Sequence, residues 1–142
     1  MLAALPADLA ASVDVAVDPV TNLVTYTLAG FLNGDSVRQV GDAQAAAMAR
    51  LRCPANAHLT IIDISRCKIQ SQEVIEAFRT MLADPRYLSR KLAVVVGSSL
   101  AKMQIRRVLH RDTVTYVETV AEARRWLLSG AAPSASADRL AD

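Results

Sequence analysis

Residues 58–97, HLTIIDISRCKIQSQEVIEAFRTMLADPRYLSRKLAVVVG, decide how the rest of the chain is read. His58 to Ile64 is β-branched and almost continuously apolar, as a strand buried on both faces requires. Lys91 to Gly97 is a second run of the same kind. Between them Val74, Ile75, Phe78, Met81 and Leu82 recur at helical spacing and form one apolar stripe. Ser71 is a good N-cap for that helix, Gln72–Ala83, and Asp84-Pro85 stops it, because a residue before proline avoids the helical region. Two buried strands joined by a helix run parallel, with a right-handed crossover.

Working outward, Val13, Val15 and Val17 alternate with Asp14 and Ala16, and a second alternating run covers Leu23 to Ala29. Two period-2 runs around Asp18-Pro19-Val20-Thr21-Asn22 predict an antiparallel hairpin. From an N-cap at Asp35 or Ser36 to Leu51, the positions Val37, Val40, Ala47, Met48 and Leu51 predict a helix ended by Cys53-Pro54. Beyond Gly97, Ser98 or Ser99 caps a helix whose inner face is Ala101, Ile105, Val108 and Leu109. Thr113 to Val117 is a short last strand, and Thr119-Val120-Ala121-Glu122 is a capping box opening a final helix closed by Gly130. The order ββαβαβαβα predicts an α/β fold. It is a single open mixed sheet of about five strands with four helices, antiparallel only in its opening hairpin. One domain spans 13–130, preceded by an arm (1–12) and followed by a disordered Ala/Ser/Pro/Asp-rich tail (131–142).

Composition narrows the function classes. The chain has 142 residues, 52% of them apolar and 21% charged, which supports one buried core and excludes wholesale disorder. Aromatics are 4%, so that core is aliphatic. No apolar run reaches the roughly 18–20 residues of a membrane span. A net charge of +2 is too small for a DNA-coating protein. Cys53 and Cys67 make no CxxC pair and there are two histidines, which rules out a zinc ribbon; no metal or other cofactor is expected. The first twelve residues lack a basic residue before their apolar stretch and are interrupted by Pro6 and Asp8. The expected compartment is therefore the cytoplasm, with both thiols reduced.

Three segments, with this element order, carry a resemblance. Leu23–Gly30 leading into Phe31-Leu32 is similar to the strand and Gly-x-Leu entry of STAS domains, the anti-sigma-factor antagonist family. Ile61-Ile62-Asp63-Ile64-Ser65 resembles that family's hydrophobic-hydrophobic-Asp-Leu-Ser strand end, and Lys91–Gly97 resembles the next strand. The resemblance covers residues 13–129 and is nearest to the small, stand-alone, SpoIIAA-like bacterial group. It implies a signalling module that docks a protein partner, and a serine at the following helix start phosphorylated by a kinase-like regulator. In Ser65-Arg66-Cys67-Lys68-Ile69-Gln70-Ser71-Gln72-Glu73, an ungapped match sets Ser71 where the family has Asp and Gln72 where it has the acceptor serine. A one-residue slip makes Ser71 the acceptor.

The candidate residues each have a plainer reading. Ser71 is a phosphoacceptor or simply an N-cap. Asp63 ends a central parallel strand, where α/β sheets place ligands, or else its carboxylate organises the Ser65–Ile69 loop. Ser98 and Ser99 offer a helix-start anion site or a capped turn. Residues 86–111 hold seven Lys/Arg and no acid, and Lys102, Arg106, Arg107 and Arg111 form a basic strip or a solvated helix face. No aromatic residue interleaves with the strip for base stacking. Gln44, on an otherwise apolar line, marks where its helix leaves the core, or is a polar pocket residue. Both cysteines read as small apolar fillers. No catalytic constellation assembles from these residues, so the expectation is a non-enzymatic, protein-binding module. An aliphatic pocket for a small apolar ligand or lipid is the alternative, and a second copy of the chain stays open as a partner.

Overall fold

The computed structural model describes residues 10–68, 70–107, 109 and 113–129. Its elements follow the order read from the sequence: β1 (Ser12–Asp18), β2 (Leu23–Gly30), α1 (Gly34–Met48), β3 (Leu59–Cys67), α2 (Gln72–Leu82), β4 (Lys91–Val95), α3 (Ser99–Arg106), β5 (Val114–Val117) and α4 (Val120–Leu128). The strands form one sheet in the order β1-β2-β3-β4-β5. β1 and β2 are antiparallel, and every later pairing is parallel.

Alternation along the strands builds two cores. Val24, Tyr26, Ile62, Leu92, Val94 and Val114 face α1, α2 and α3 on one side. Leu23, Leu59, Ile61, Ala93 and Val95 face α4 on the other, where Ala123 and Leu127 close over them. α4 packs mainly over β3, β4 and β5 and touches the hairpin at its turn end, through Leu23 and an Arg124–Asp18 contact at 4.0 Å, so Ser12, Asp14 and Ala16 on that face stay exposed. That is the one-sided burial usual for antiparallel strands.

Several boundaries differ from the sequence reading; β4 ends at Val95, short of Gly97, and α2 at Leu82, with Ala83 its C-cap. α1 is capped by Asn33, not by Asp35 or Ser36: Asn33 Oδ1 accepts from Ser36 N at 2.9 Å, and Ser36 Oγ accepts in return from Asn33 N at 3.1 Å. Ser36 therefore serves as the third helical residue of a capping box. α1 ends at Met48, earlier than Leu51. β3 runs on past Ile64 to Cys67, because a register shift lets Arg66 and Cys67 pair with Ala29 and Gly30. Gln44 does not mark an exit from the core; it is 5% exposed and turned inward. The expected Val108 contact, Gly130 closure, N-terminal arm and C-terminal tail lie outside the described residues.

Candidate functional site

The stripe on α2 does not pack flat on the sheet. Of its members only Val74 is fully buried, while Ile75, Phe78, Met81 and Leu82 are half-exposed. They roof a cavity of about 80 Å³ whose floor is Leu28, Ile62 and Val40, and whose end wall is Ile105 of α3. Cavities that accept a benzene ring are about 150 Å³, and drug-sized ligands occupy roughly 300–1,000 Å³. The space matches one branched aliphatic group.

Two polar side chains reach this apolar floor. Gln44 of α1 hydrogen-bonds the Tyr26 phenol on β2, and both line the cavity and a smaller void of about 20 Å³ behind it. Burial pushes the Tyr26 phenol up to about 12, against the opposing hydrogen bond from Gln44. Cys67 lines the same cavity, where burial, followed by the charge of Asp63, raises its thiol to about 12. The thiolate is the reactive form, so this cysteine is chemically quiet.

The strand-end side of the cavity is fixed by Gln70, a residue that sequence reasoning passed over. Its Oε1 accepts from Leu32 N at 2.7 Å, and its Nε2 donates to Gly30 O at 2.9 Å and to Lys68 O. Gln104 of α3 completes the clasp, donating from Nε2 to Gln70 O at 3.3 Å. The Gln70 side chain thus ties the β2–α1 loop to the β3–α2 turn, and the Gln104 side chain ties the Gln70 main chain to α3. No sequence period marks it, because its partners apart from Lys68 are 34 to 40 residues away. Near the clasp lie three of the large apolar residues that stay exposed: Phe31 next to Leu32, and Leu100 and Met103 on the helix of Gln104.

The remaining candidate residues separate onto different surfaces. Ser71 is exposed at the start of α2, its Oγ accepting from Val74 N at 3.2 Å, with Gln72 exposed beside it. Asp63 and Ser65 belong to β3, and Asp63 alternates with cavity-lining Ile62 and Ile64 onto the opposite face of the sheet. Asp63 Oδ1 accepts from Ser65 N at 3.0 Å and Ser65 Oγ at 2.6 Å. Ser98 and Ser99 follow Gly97, whose main chain presses against the Ser65 carbonyl so closely that a Cβ there would stand 2.4 Å from the oxygen. A carboxylate-bearing corner therefore adjoins the Ser98–Ser99 turn, which disfavours an anion there.

The basic run is partly neutralised. Arg86 pairs with Asp84 at 2.7 Å, and Lys91 is buried with its Nζ 4.2 Å from the centre of the Trp126 ring. On α3, Lys102 leans over the Tyr116 ring at 6.0 Å and Arg106 is half-buried, and Arg107, just past the helix end, is exposed. Arg111 and His110 lie outside the described residues. Among the described residues no group of His, Cys, Asp and Glu could hold a metal, and no helix is long and apolar enough to cross a membrane.

A mixed five-strand sheet opened by an antiparallel hairpin and followed by parallel βα units defines an α/β module of SpoIIAA-like fold. A solved structure shows the likeness: an uncharacterized protein of the DUF3478 family with a SpoIIAA-like fold, from Shewanella loihica PV-4. It matches with a TM-score of 0.68 at 13% identity, over 89% of this chain and 98% of that one. At that identity the likeness concerns the fold. No protein-family model matches the chain, and no curated protein does.

Proposed function

We propose that this protein is a non-enzymatic binding module that docks a protein partner at the carboxyl end of its parallel strands. A single observation supports the reading: a cavity sized for one aliphatic side chain adjoins a clasp around which Phe31, Leu100 and Met103 stay exposed. Interfaces draw their energy from a few apolar anchors seated in pockets, and exposed apolar residues grouped at one end of a domain mark where such anchors arrive. Exposed Arg107 follows Leu100 and Met103 just past the end of α3, which favours a partner with an acidic residue beside its apolar anchor. Ser71 serves as a helix cap at the margin of this surface, and a cytoplasmic setting accords with its unpaired cysteines.

The test is co-purification from the native host with the tagged chain and with Met103→Glu. The wild type should retain a protein partner that Met103→Glu loses at least tenfold, with the variant's melting temperature unchanged. Recovery of the same proteins by both chains would sink the reading.

A second reading, a small ligand in the cavity, is favoured by the Gln44 amide and the Tyr26 phenol, polar groups on an otherwise apolar lining that would fix the orientation of a mostly apolar molecule. Native mass spectrometry of freshly purified protein decides it. A retained ligand released by Gln44→Leu supports this reading, and a bare mass for both removes it.

A further inference from the structure

β1 is an edge strand: among the described residues only β2 pairs with it, which leaves its outward N–H and C=O groups as a template for another strand. Natural edges are blunted by shortness, proline, a bulge or charged side chains, lysine above all; the charges on β1 are Asp14 and Asp18, and they limit its pairing to registers that keep carboxylates apart. The opposite edge, β5, is blunted by its length of four residues. β1 has seven, SVDVAVD, in unbroken register with β2, and contains no proline and no lysine.

We infer that this edge is a homodimer interface, in which β1 pairs antiparallel with the same strand of a second copy about a two-fold axis at Val15. The strand's own pattern selects both occupant and register. With Val15 on the axis, Val13 meets the partner's Val17 and Asp14 meets the partner's Ala16. The valine row then continues across the axis on the helix-covered face, and no carboxylate opposes another. Moving the axis to Asp14 sets that residue against itself, and moving it to Ala16 sets Asp14 against the partner's Asp18. Like charges directly opposed across strands are destabilising. A slip of one residue instead turns the valines to the wrong face.

There is room for the second copy. Gly41 of α1 looks toward Met81 of α2, 4.0 Å away, so the flank of α1 turned to the free edge is the one bearing Gln39, Ala43 and Ala46. Two of these three are alanines, which lets a second α1 approach. Isologous pairing consumes the long edge of both copies and closes, giving a continuous sheet of twice the five strands. A foreign strand would also find hydrogen bonds here, but the charge pattern that matches itself belongs to a second copy.

Analytical ultracentrifugation from micromolar to several hundred micromolar tests the inference on the whole chain, with two variants on the exposed face. Wild type should show a reversible monomer–dimer equilibrium. Ala16→Asp opposes two pairs of carboxylates across the axis and should raise the dimer Kd about tenfold. Adding Asp14→Lys turns each repulsion into an attraction and should bring the Kd back to within about threefold of wild type. Hydrogen exchange of the wild type supplies a readout that needs no variant: amides of 12–18 should gain protection as concentration rises. A monomer at every concentration overturns the inference. So does a dimer indifferent to Ala16→Asp, a double variant as weak as the single one, or exchange in β1 that ignores concentration.

Discussion

Gly97→Ala probes the place where the end of β3 meets the turn leaving β4. The added Cβ would lie 2.4 Å from the Ser65 carbonyl oxygen, 3.2 Å from its carbonyl carbon and 3.3 Å from its Cα. Carbon–oxygen contacts ordinarily settle near ~3.3–3.6 Å, so the two strand ends must part by roughly 0.9 Å. Both sides of the contact are main chain, so no rotamer change relieves it. The turn is held by Val96 N donating to Val117 O at 3.0 Å, and β3 by its pairing with β4. Overpacking that moves backbone costs about 1–3 kcal/mol, and a backbone-to-backbone clash belongs at the upper end. Urea unfolding followed by circular dichroism should show this directly. A loss of about 3 kcal/mol, at a slope of roughly 1.5 kcal/mol per molar, lowers the midpoint by about 2 M. Gly41→Ala is the control. It sits inside α1 with its nearest neighbour, Met81 Sδ, at 4.0 Å, so alanine should stabilise by about 0.5–1 kcal/mol. An unchanged or raised midpoint for Gly97→Ala would refute the close approach of these strand ends, and with it the placement of the Ser98–Ser99 turn beside the Asp63–Ser65 corner.

Ser71→Ala should cost about 1 kcal/mol by removing the acceptor for Val74 N, whereas Ser71→Asp should be nearly neutral because Asp caps as well as Ser. Phosphopeptide mapping from the host checks the same residue, and stoichiometric phosphate on Ser71 would make the cap its lesser role. Alkaline pH should destabilise the fold through Tyr26 and Cys67, whose folded values are both raised to about 12. The unfolded chain gives up these protons first, so the stability they hold is complete below about pH 8.5 and is lost as pH rises toward about 12. For Tyr26 the two-unit rise amounts to about 3 kcal/mol, so urea midpoints measured at about pH 8 and pH 10.5 should fall less for Tyr26→Phe than for wild type. Equal falls would show that the phenol is not buried as described. At about pH 8, Cys67 should be alkylated on the order of a thousandfold more slowly than an ordinary thiol, as mass spectrometry after iodoacetamide can measure.

The sequence by itself determined the element order, because each element announces its period locally. β-branched runs made β3 and β4, alternation made the hairpin, and the side chains of Ser71 and Thr119 cap α2 and α4 at 3.2 and 3.1 Å. The parallel sheet followed from connection length and handedness, which chain geometry fixes. Only the tertiary structure decided the site. The α2 stripe reads as core in sequence, yet it roofs a cavity, since periodicity says which face turns inward and nothing about how close the facing sheet comes. Gln44 read in sequence as either the exit of its helix from the core or a polar pocket residue, and only packing, which buries it against the cavity, decided for the second. Gln70 carried no local signal at all, because a residue whose side chain bonds Gly30 and Leu32 and whose main chain meets the Gln104 side chain acquires its role only when three distant segments meet. Local patterns are written in neighbouring residues and can be read there. A cavity and a clasp are properties of distances between elements, and those distances exist only once the chain has packed.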